Sequence, residues 1–330
     1  MAEKKRNILF DNTRVILILL VVYGHVVEQL RFDNGLFIGI YNFIYLFHMP
    51  LFVFCSGAFA KSDKKRIVKK YLIPYVVFQA LYGIFDVYIM KAESFHFLES
   101  YYVLWYLLAL AVWSILIPFF QARGKKGKQL LFLIGSVLVG LLAGYVDIIG
   151  KVFSLSRILV FFPFFLAGYY IRQENMGKEW IEKALEYKKK KSVRWICGIL
   201  FVGIFIGVYY GGAMINTWAL YGYTSYAFQG YTIYFRVFQY LAGFFLGILL
   251  FMIIPGGKPM FPYLASHTMG IYLSHVIIIK ILEKAGVAGR FSDSTIGIAV
   301  YSLVITIGIV TAGMGLSQVI NKRKQERKNK

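Results

Sequence analysis

Apolar residues run along this chain in long blocks separated by short bursts of Lys and Arg. Crossing ~30 Å of hydrocarbon at 1.5 Å of helical rise takes ~20 residues. Ten blocks qualify: 8–27, 36–60, 71–90, 101–121, 129–149, 157–171, 195–211, 232–253, 263–285 and 295–320. The pattern predicts an all-α polytopic membrane protein with about ten transmembrane helices. The sixth and seventh blocks are short and must borrow flanking residues, so a count from nine to eleven stays open. No period of 20–50 residues repeats, and no inverted symmetry of broken helices is visible.

Composition agrees. Of 330 residues 58% are apolar and 16% charged, against roughly 25% charged in an ordinary soluble domain, which excludes a water-soluble fold. The net charge of +21 would suggest a nucleic-acid partner if it covered a folded surface. It does not: the N-terminus and the loops 61–70, 121–129, 172–194, 254–262 and 321–330 hold 28 of the Lys and Arg, while the alternate loops hold only Arg31, Lys91, Lys151, Arg157, Lys284 and Arg290. This asymmetry places both termini in the cytoplasm and argues for membrane lipids as partners rather than nucleic acid. One membrane domain over 1–330 is expected, with 172–194 a basic cytoplasmic insert and 321–330 a basic cytoplasmic tail. Met1–Arg6 could open a cleavable signal, but Asp11 and Arg14 interrupt the apolar run and no small-residue cleavage site follows; a retained first helix is expected. Cys55 and Cys197 lie in apolar blocks with no CxxC spacing, so neither a disulfide framework nor a metal site is indicated.

Two loops have distinctive chemistry. Within 172–194, Trp180, Ile181, Leu185 and Tyr187 form a ragged apolar face among lysines, suited to lying on headgroups or to a solvated linker helix. The loop 212–231 is uncharged and rich in Tyr, Trp, Gly and Asn, suited to a carbohydrate-facing surface or to an interfacial aromatic belt.

A titratable side chain inside hydrocarbon costs several kcal/mol and marks a candidate site. The first block holds Asp11, Asn12, Arg14 and His25, with Glu28 just beyond. Asp11 and Arg14, three apart, share a face and can neutralise each other. His25 follows Arg14 by eleven residues, three turns and ~16 Å of rise on nearly the same azimuth. One stripe thus carries a cation toward the cytoplasm and an imidazole toward the outside. Imidazole is suited to take a proton from a hydroxyl near neutral pH, and Glu28 can fix its tautomer as the third member of a triad does. A structural ion pair and a histidine bonded to a carbonyl are the plain alternatives. In the second block, FHMPLFVFCSG contains His48, Pro50, Ser56 and Gly57; a hairpin folded near residue 31 sets His48 level with Arg14, a second polar contact along a shared cavity or a satisfied histidine in a kinked helix. Asp11, Asn12, His48, Ser56, Trp105, Tyr106, Arg157 and His275 are the candidate substrate contacts, with snorkelling to the outer headgroups an equal alternative for Arg157. Arg236 is expected to snorkel to the outer headgroups. His96 and His267 suggest no role.

The spacing of Arg14 and His25, with FDN at 10–12, VVYGH at 21–25, FHMPLFVFCSG in the second block and YLSH at 272–275, resembles the acyltransferase 3 family of bacterial inner-membrane proteins, and within it the fucose 4-O-acetylase-like subgroup. The resemblance covers most of the chain. It implies transfer of an acyl group, usually acetyl, from cytoplasmic acyl-CoA to a hydroxyl of a cell-surface carbohydrate or its lipid-linked precursor. His25 matches the family's essential histidine and Arg14 its essential arginine; His48 and Ser56–Gly57 match the second-helix motif. Many relatives carry an additional extracytoplasmic esterase-like domain; here transfer is expected to finish inside the membrane domain or with a separate partner. No Walker-type or GxGxxG loop is present, so a coenzyme site must come from loop cations and helix ends. Direct attack on the thioester with His25 as base, or a covalent acyl-His or acyl-Ser56 intermediate, both fit. Outside this class stand an exporter or flippase using the same polar path and a scaffold subunit of a polysaccharide synthase.

Overall fold

The computed structural model describes residues 7–31, 34–150, 152–211, 215–223, 225–292 and 294–326, with side chains through Val319. The basic residues up to Arg6, Lys151, residues 212–214 and 224 of the uncharged loop and 327–330 of the basic tail lie outside the described residues. The described residues are largely helical: α1 (Ile8–Val27), α2 (Gly35–Gly57), α3 (Lys64–Met90), α4 (Trp105–Phe120), α5 (Lys126–Leu142), α6 (Leu155–Gln173), α7 (Lys178–Tyr187), α8 (Lys191–Tyr210), two short helices α9 (Thr217–Leu220) and α10 (Tyr226–Gln229), α11 (Ile233–Ile253), α12 (Pro262–Lys284) and α13 (Thr295–Glu326). Among the described residues nine helices are long and apolar enough to cross a bilayer, and α4 is a tenth apolar helix of 16 residues. Each of the ten apolar blocks therefore became one helix, the sixth and seventh by borrowing flanking residues.

Helix is the form these blocks must take, because hydrocarbon offers no water to backbone groups and a helix satisfies them within one segment. Polar side chains set the starts. Asn7 accepts the Phe10 amide at 3.3 Å, and Asp63 accepts that of Arg66 at 2.6 Å, each filling a donor that a helix start leaves open. Helix α3 is interrupted by π-helical turns at Val68–Leu72 and Phe85–Met90 and ends at Lys91 in the left-handed conformation, φ 62°.

The chain forms two compact units, each assembled from separated segments: residues 1–48, 190–215 and 248–330 make the first, and 49–189 with 216–247 the second. In the first, α1 packs against α12 and α13, while Phe43 and Phe47 of α2 meet Phe201 of α8 edge-to-face at 5.0 and 5.5 Å. Helix α8 buries only Val208, and Ile199, Val202 and Ile206 are exposed along it, as a lipid-facing helix requires.

In the second unit, α2 and α6 touch backbone to backbone. A Cβ on Gly57 would run into the carbonyl of Phe165, and one on Gly168 into that of Phe54; small residues at such contacts let membrane helices approach closely. The expected span 101–121 is shortened because the segment before it folds against α3. Fully buried Gln79 donates to the carbonyls of Glu99 (2.6 Å) and Phe97 (3.2 Å) and accepts the Tyr101 amide (2.8 Å). Gln79 lies eleven residues before the end of α3, ~16 Å by helical rise. Irregular backbone thus reaches well below the end of α3, with its polar groups satisfied by protein, and α4 begins only at Trp105.

Gly57→Val and Gly168→Val should each destabilise the protein by about 2–3 kcal/mol through overpacking, and the double variant by less than the sum because both disturb one contact. Gly198, which has open space around its Cβ position, should tolerate Ala within about 0.5 kcal/mol. Thermal unfolding in detergent, followed by circular dichroism, reads all four.

Candidate active site

Three residues at three-residue spacing, His25, Glu28 and Arg31, follow one another across the end of α1. The Glu28 carboxylate places Oε2 3.1 Å from His25 Nδ1 and Oε1 3.5 Å from Arg31. Arg31 is itself buried, donates to the Glu28 carbonyl at 2.6 Å and stacks on the Tyr41 ring at 4.7 Å. A carboxylate can only accept a hydrogen bond, so Nδ1 of His25 carries the hydrogen and Nε2 the lone pair, an assignment made from partners. The Tyr45 hydroxyl also lies 3.1 Å from Nδ1, and Tyr45 stacks on Tyr41 at 4.0 Å. The one Nδ1–H is therefore shared between the Glu28 carboxylate and the Tyr45 oxygen, both accepting.

Two more imidazoles flank this group. His48 is buried with its Nδ1 2.7 Å from the Ile44 carbonyl and its ring against Tyr45 at 4.6 Å. His275 of α12, fully buried, has its ring 5.4 Å from that of His25. Toward the other end of α1, Arg14 lies 3.9 Å from Asp11, both partly exposed. Asn12 is buried and donates to the carbonyls of Pro255 (2.7 Å) and Lys258 (2.9 Å) while accepting the Met260 amide (2.8 Å).

The second unit holds its own polar group. Ser56 and Tyr106 share a hydrogen bond of 2.5 Å between their hydroxyls. The Arg157 guanidinium sits 5.2 Å from the Trp105 ring and 4.7 Å from that of Tyr223, donating to the Tyr221 and Tyr102 carbonyls at 3.1 and 3.3 Å.

A family model described as an acyltransferase domain matches residues 7–316. The chain belongs to the acyltransferase 3 family. No curated protein and no solved structure matches it. As a member of that family and a multi-pass helical protein it is a membrane acyltransferase.

Several expectations about this acyltransferase change with the geometry. His48 is not level with Arg14: α1 and α2 approach at Gly24, where an added Cβ would lie 3.1 Å from Tyr45. A hairpin folded at residue 31 would pair Gly24 with residue 38, so the register is offset by seven residues, about 10 Å, which carries His48 toward His25. Asn12 has its amide engaged by three backbone groups of 255–260 and so serves as a clamp on that loop. Arg236 does not snorkel. It is fully buried and donates to the Ala219 carbonyl (3.2 Å), to Gln239 (2.6 Å) and to the Tyr231 hydroxyl, because the described residues 216–223 and 225–231 of the uncharged loop fold against it and offer oxygens that a guanidinium fork can satisfy. Tyr226, packed edge-to-face on Tyr231, donates to the Leu141 carbonyl at 2.7 Å; burial raises its hydroxyl to about 12, with Arg236 pulling the other way, so it remains a donor. This loop is thus partly a packed cap, with Trp218 and Phe228 exposed. Tyr41, Tyr45 and Arg31 are site residues that the chain pattern marked only indirectly, through the spacings 25–28–31 and 41–45–48.

Arg236→Met should loosen the cap. Leaving the Ala219 carbonyl and Gln239 without their donor should cost at least ~2 kcal/mol, and cleavage within 212–231 under limited proteolysis should accelerate relative to the parent protein.

Proposed function

We propose that this acyltransferase moves an acetyl group from cytoplasmic acetyl-CoA to a hydroxyl of a cell-envelope glycan or its lipid-linked precursor in a bacterial plasma membrane, with His25 as the general base. The observation that carries the reading is the Nδ1 contact of His25 with Glu28, because a base whose other nitrogen is tied to an oriented carboxylate is the constellation that activates a hydroxyl. The uncharged aromatic loop and the resemblance to fucose 4-O-acetylase-like proteins favour a saccharide as acceptor.

In the proposed reaction the acceptor O–H bond breaks, its proton passes to Nε2 of His25, and the oxygen attacks the thioester carbonyl carbon. The tetrahedral adduct collapses, the C–S bond breaks, and the departing coenzyme A thiolate takes the proton back from the imidazolium. Glu28 stabilises that imidazolium, and Arg31 and Tyr45 act as positioning residues for Glu28 and the ring. Arg14, ~16 Å away along the helix, is comparably distant from His25 as a pantetheine arm is long, which suits it to anchor donor phosphate. The basic loops 61–70, 121–129 and 172–194 draw a polyanionic donor to the cytoplasmic face. Within the second unit, Ser56 and Tyr106, bonded to each other, and Arg157 with Trp105 are proposed as substrate contacts.

Purified protein in lipid nanodiscs, given labelled acetyl-CoA and a glycan acceptor, should yield acetylated glycan. His25→Ala should lower kcat by at least ~10³-fold and Glu28→Gln by ~10²–10⁴-fold, in line with losses at other oriented-base triads, with unfolding temperatures near that of the parent. Full transfer by His25→Ala would overturn the assignment, and export of unmodified glycan without acetyl-CoA would favour a carrier instead.

A further inference from the structure

His275 is the described imidazole beside His25 whose far nitrogen is completely buried without a hydrogen-bond partner. Its Nδ1 lies 2.7 Å from the Tyr272 carbonyl and 3.2 Å from that of Ile271. Carbonyls accept only, so Nδ1 bears the hydrogen and Nε2 is an acceptor. That Nε2 is completely buried and has no hydrogen-bond partner among the described residues. An acceptor buried without a donor costs roughly 1–3 kcal/mol, and each such group in a folded protein calls for an explanation, a catalytic role or a bound molecule among them.

A second acceptor at the same helix contact is in the same condition. Gln29, next to Glu28, donates from Nε2 to the Ile279 carbonyl at 3.5 Å, one turn along α12 from His275, and its Oε1 is buried without a partner. Two orphaned acceptors beside one base call for a ligand rich in donors. The thioester end of an acyl donor presents a carbonyl, itself an acceptor, and so does not complement them. A polyhydroxyl compound does.

We propose that His275 Nε2 accepts a hydrogen bond from a second hydroxyl of the acceptor, on the carbon next to the one that is acylated, so that the site selects vicinal diols; Gln29 Oε1 serves a further hydroxyl of the same molecule. The assignment rests on the reading of His25 as the base at the acceptor hydroxyl. The two rings are 5.4 Å apart, close enough for neighbouring oxygens of one sugar ring to face one imidazole each. A site built to hydrogen-bond a substrate hydroxyl rejects the analogue that lacks it far more strongly than an apolar pocket rejects an extra group.

The test uses the full chain in nanodiscs, a panel of methyl hexopyranosides, and the single-deoxy counterpart of each, read by calorimetric binding without donor and by acetyl transfer with labelled acetyl-CoA. The parent protein should bind at least one glycoside ~10²-fold more tightly than a deoxy counterpart with one vicinal hydroxyl removed. In His275→Leu that preference should disappear while the deoxy compound binds within about threefold of its affinity for the parent; His275→Gln, which keeps a carbonyl acceptor, should recover part of it. Equal affinity of the parent for every pair would overturn the proposal and leave the orphaned nitrogen to water. Equal loss of both ligands in His275→Leu, or a change confined to the KM of acetyl-CoA, would overturn it in favour of a structural role or a pantetheine contact. Discrimination in binding without any acetyl transfer would uphold the diol site and overturn the transfer reaction instead.

Discussion

Most of the buried polar groups among the described residues answer to one constraint: inside hydrocarbon a hydrogen-bonding group must be satisfied by the chain itself. The cost of an unpaired amide or hydroxyl away from water is several kcal/mol, so polar side chains within or near the spans become structural ties. Trp113 donates to the Ile158 carbonyl at 3.0 Å and Tyr240 to that of Val160 at 2.9 Å. Buried Glu174 takes the Ala122 amide at 2.9 Å and Gln129 at 3.0 Å. Gln79, Asn12 and Arg236 do the same for three irregular segments. The outer loops can therefore fold inward or over a buried cation, because each brings backbone groups that a side chain satisfies.

Against that background the histidines separate by the kind of partner they have. His48, His267 and His275 each place Nδ1 near a backbone carbonyl three or four residues earlier on the same helix, at 2.7 Å in every case. Such a bond belongs to any helix and fixes the ring without making it reactive. His25 instead meets two side chains, Glu28 and Tyr45, and the carboxylate is held in turn by Arg31. A carboxylate partner supports a positive imidazolium in a way a carbonyl dipole does not. The carboxylate is what separates the candidate base from the other three, of which His267 adds only the neighbouring Ser266 hydroxyl at 2.9 Å.

Much of this was legible along the chain. The ten apolar blocks map onto ten helices because their length is set by the bilayer and their conformation by backbone satisfaction, neither of which depends on how helices pack. The 25–28 spacing already put His25 and Glu28 on one helical face, since i and i+3 side chains are neighbours whatever surrounds them. Arg31 and Tyr41 were less visible: each lies on an ordinary spacing, but only the approach of α1 to α2 gives that spacing a meaning. Arg236 misled because an arginine near a span end has two solutions, snorkelling or burial under a loop, and the choice depends on where the loop 212–231 folds.

What the amino-acid order determined by itself is the class of molecule: a many-times-crossing helical membrane protein, with a cation and an imidazole on one stripe of its first helix. These follow from composition, periodicity and local spacing, which act within a single helix. What only the tertiary structure decided is which helices meet, and in what register. The seven-residue offset between α1 and α2 and the arrival of α12 beside His25 brought Tyr45, His48 and His275 to one base. Those contacts depend on side-chain volume at points such as Gly24, where packing rather than sequence distance selects the neighbour.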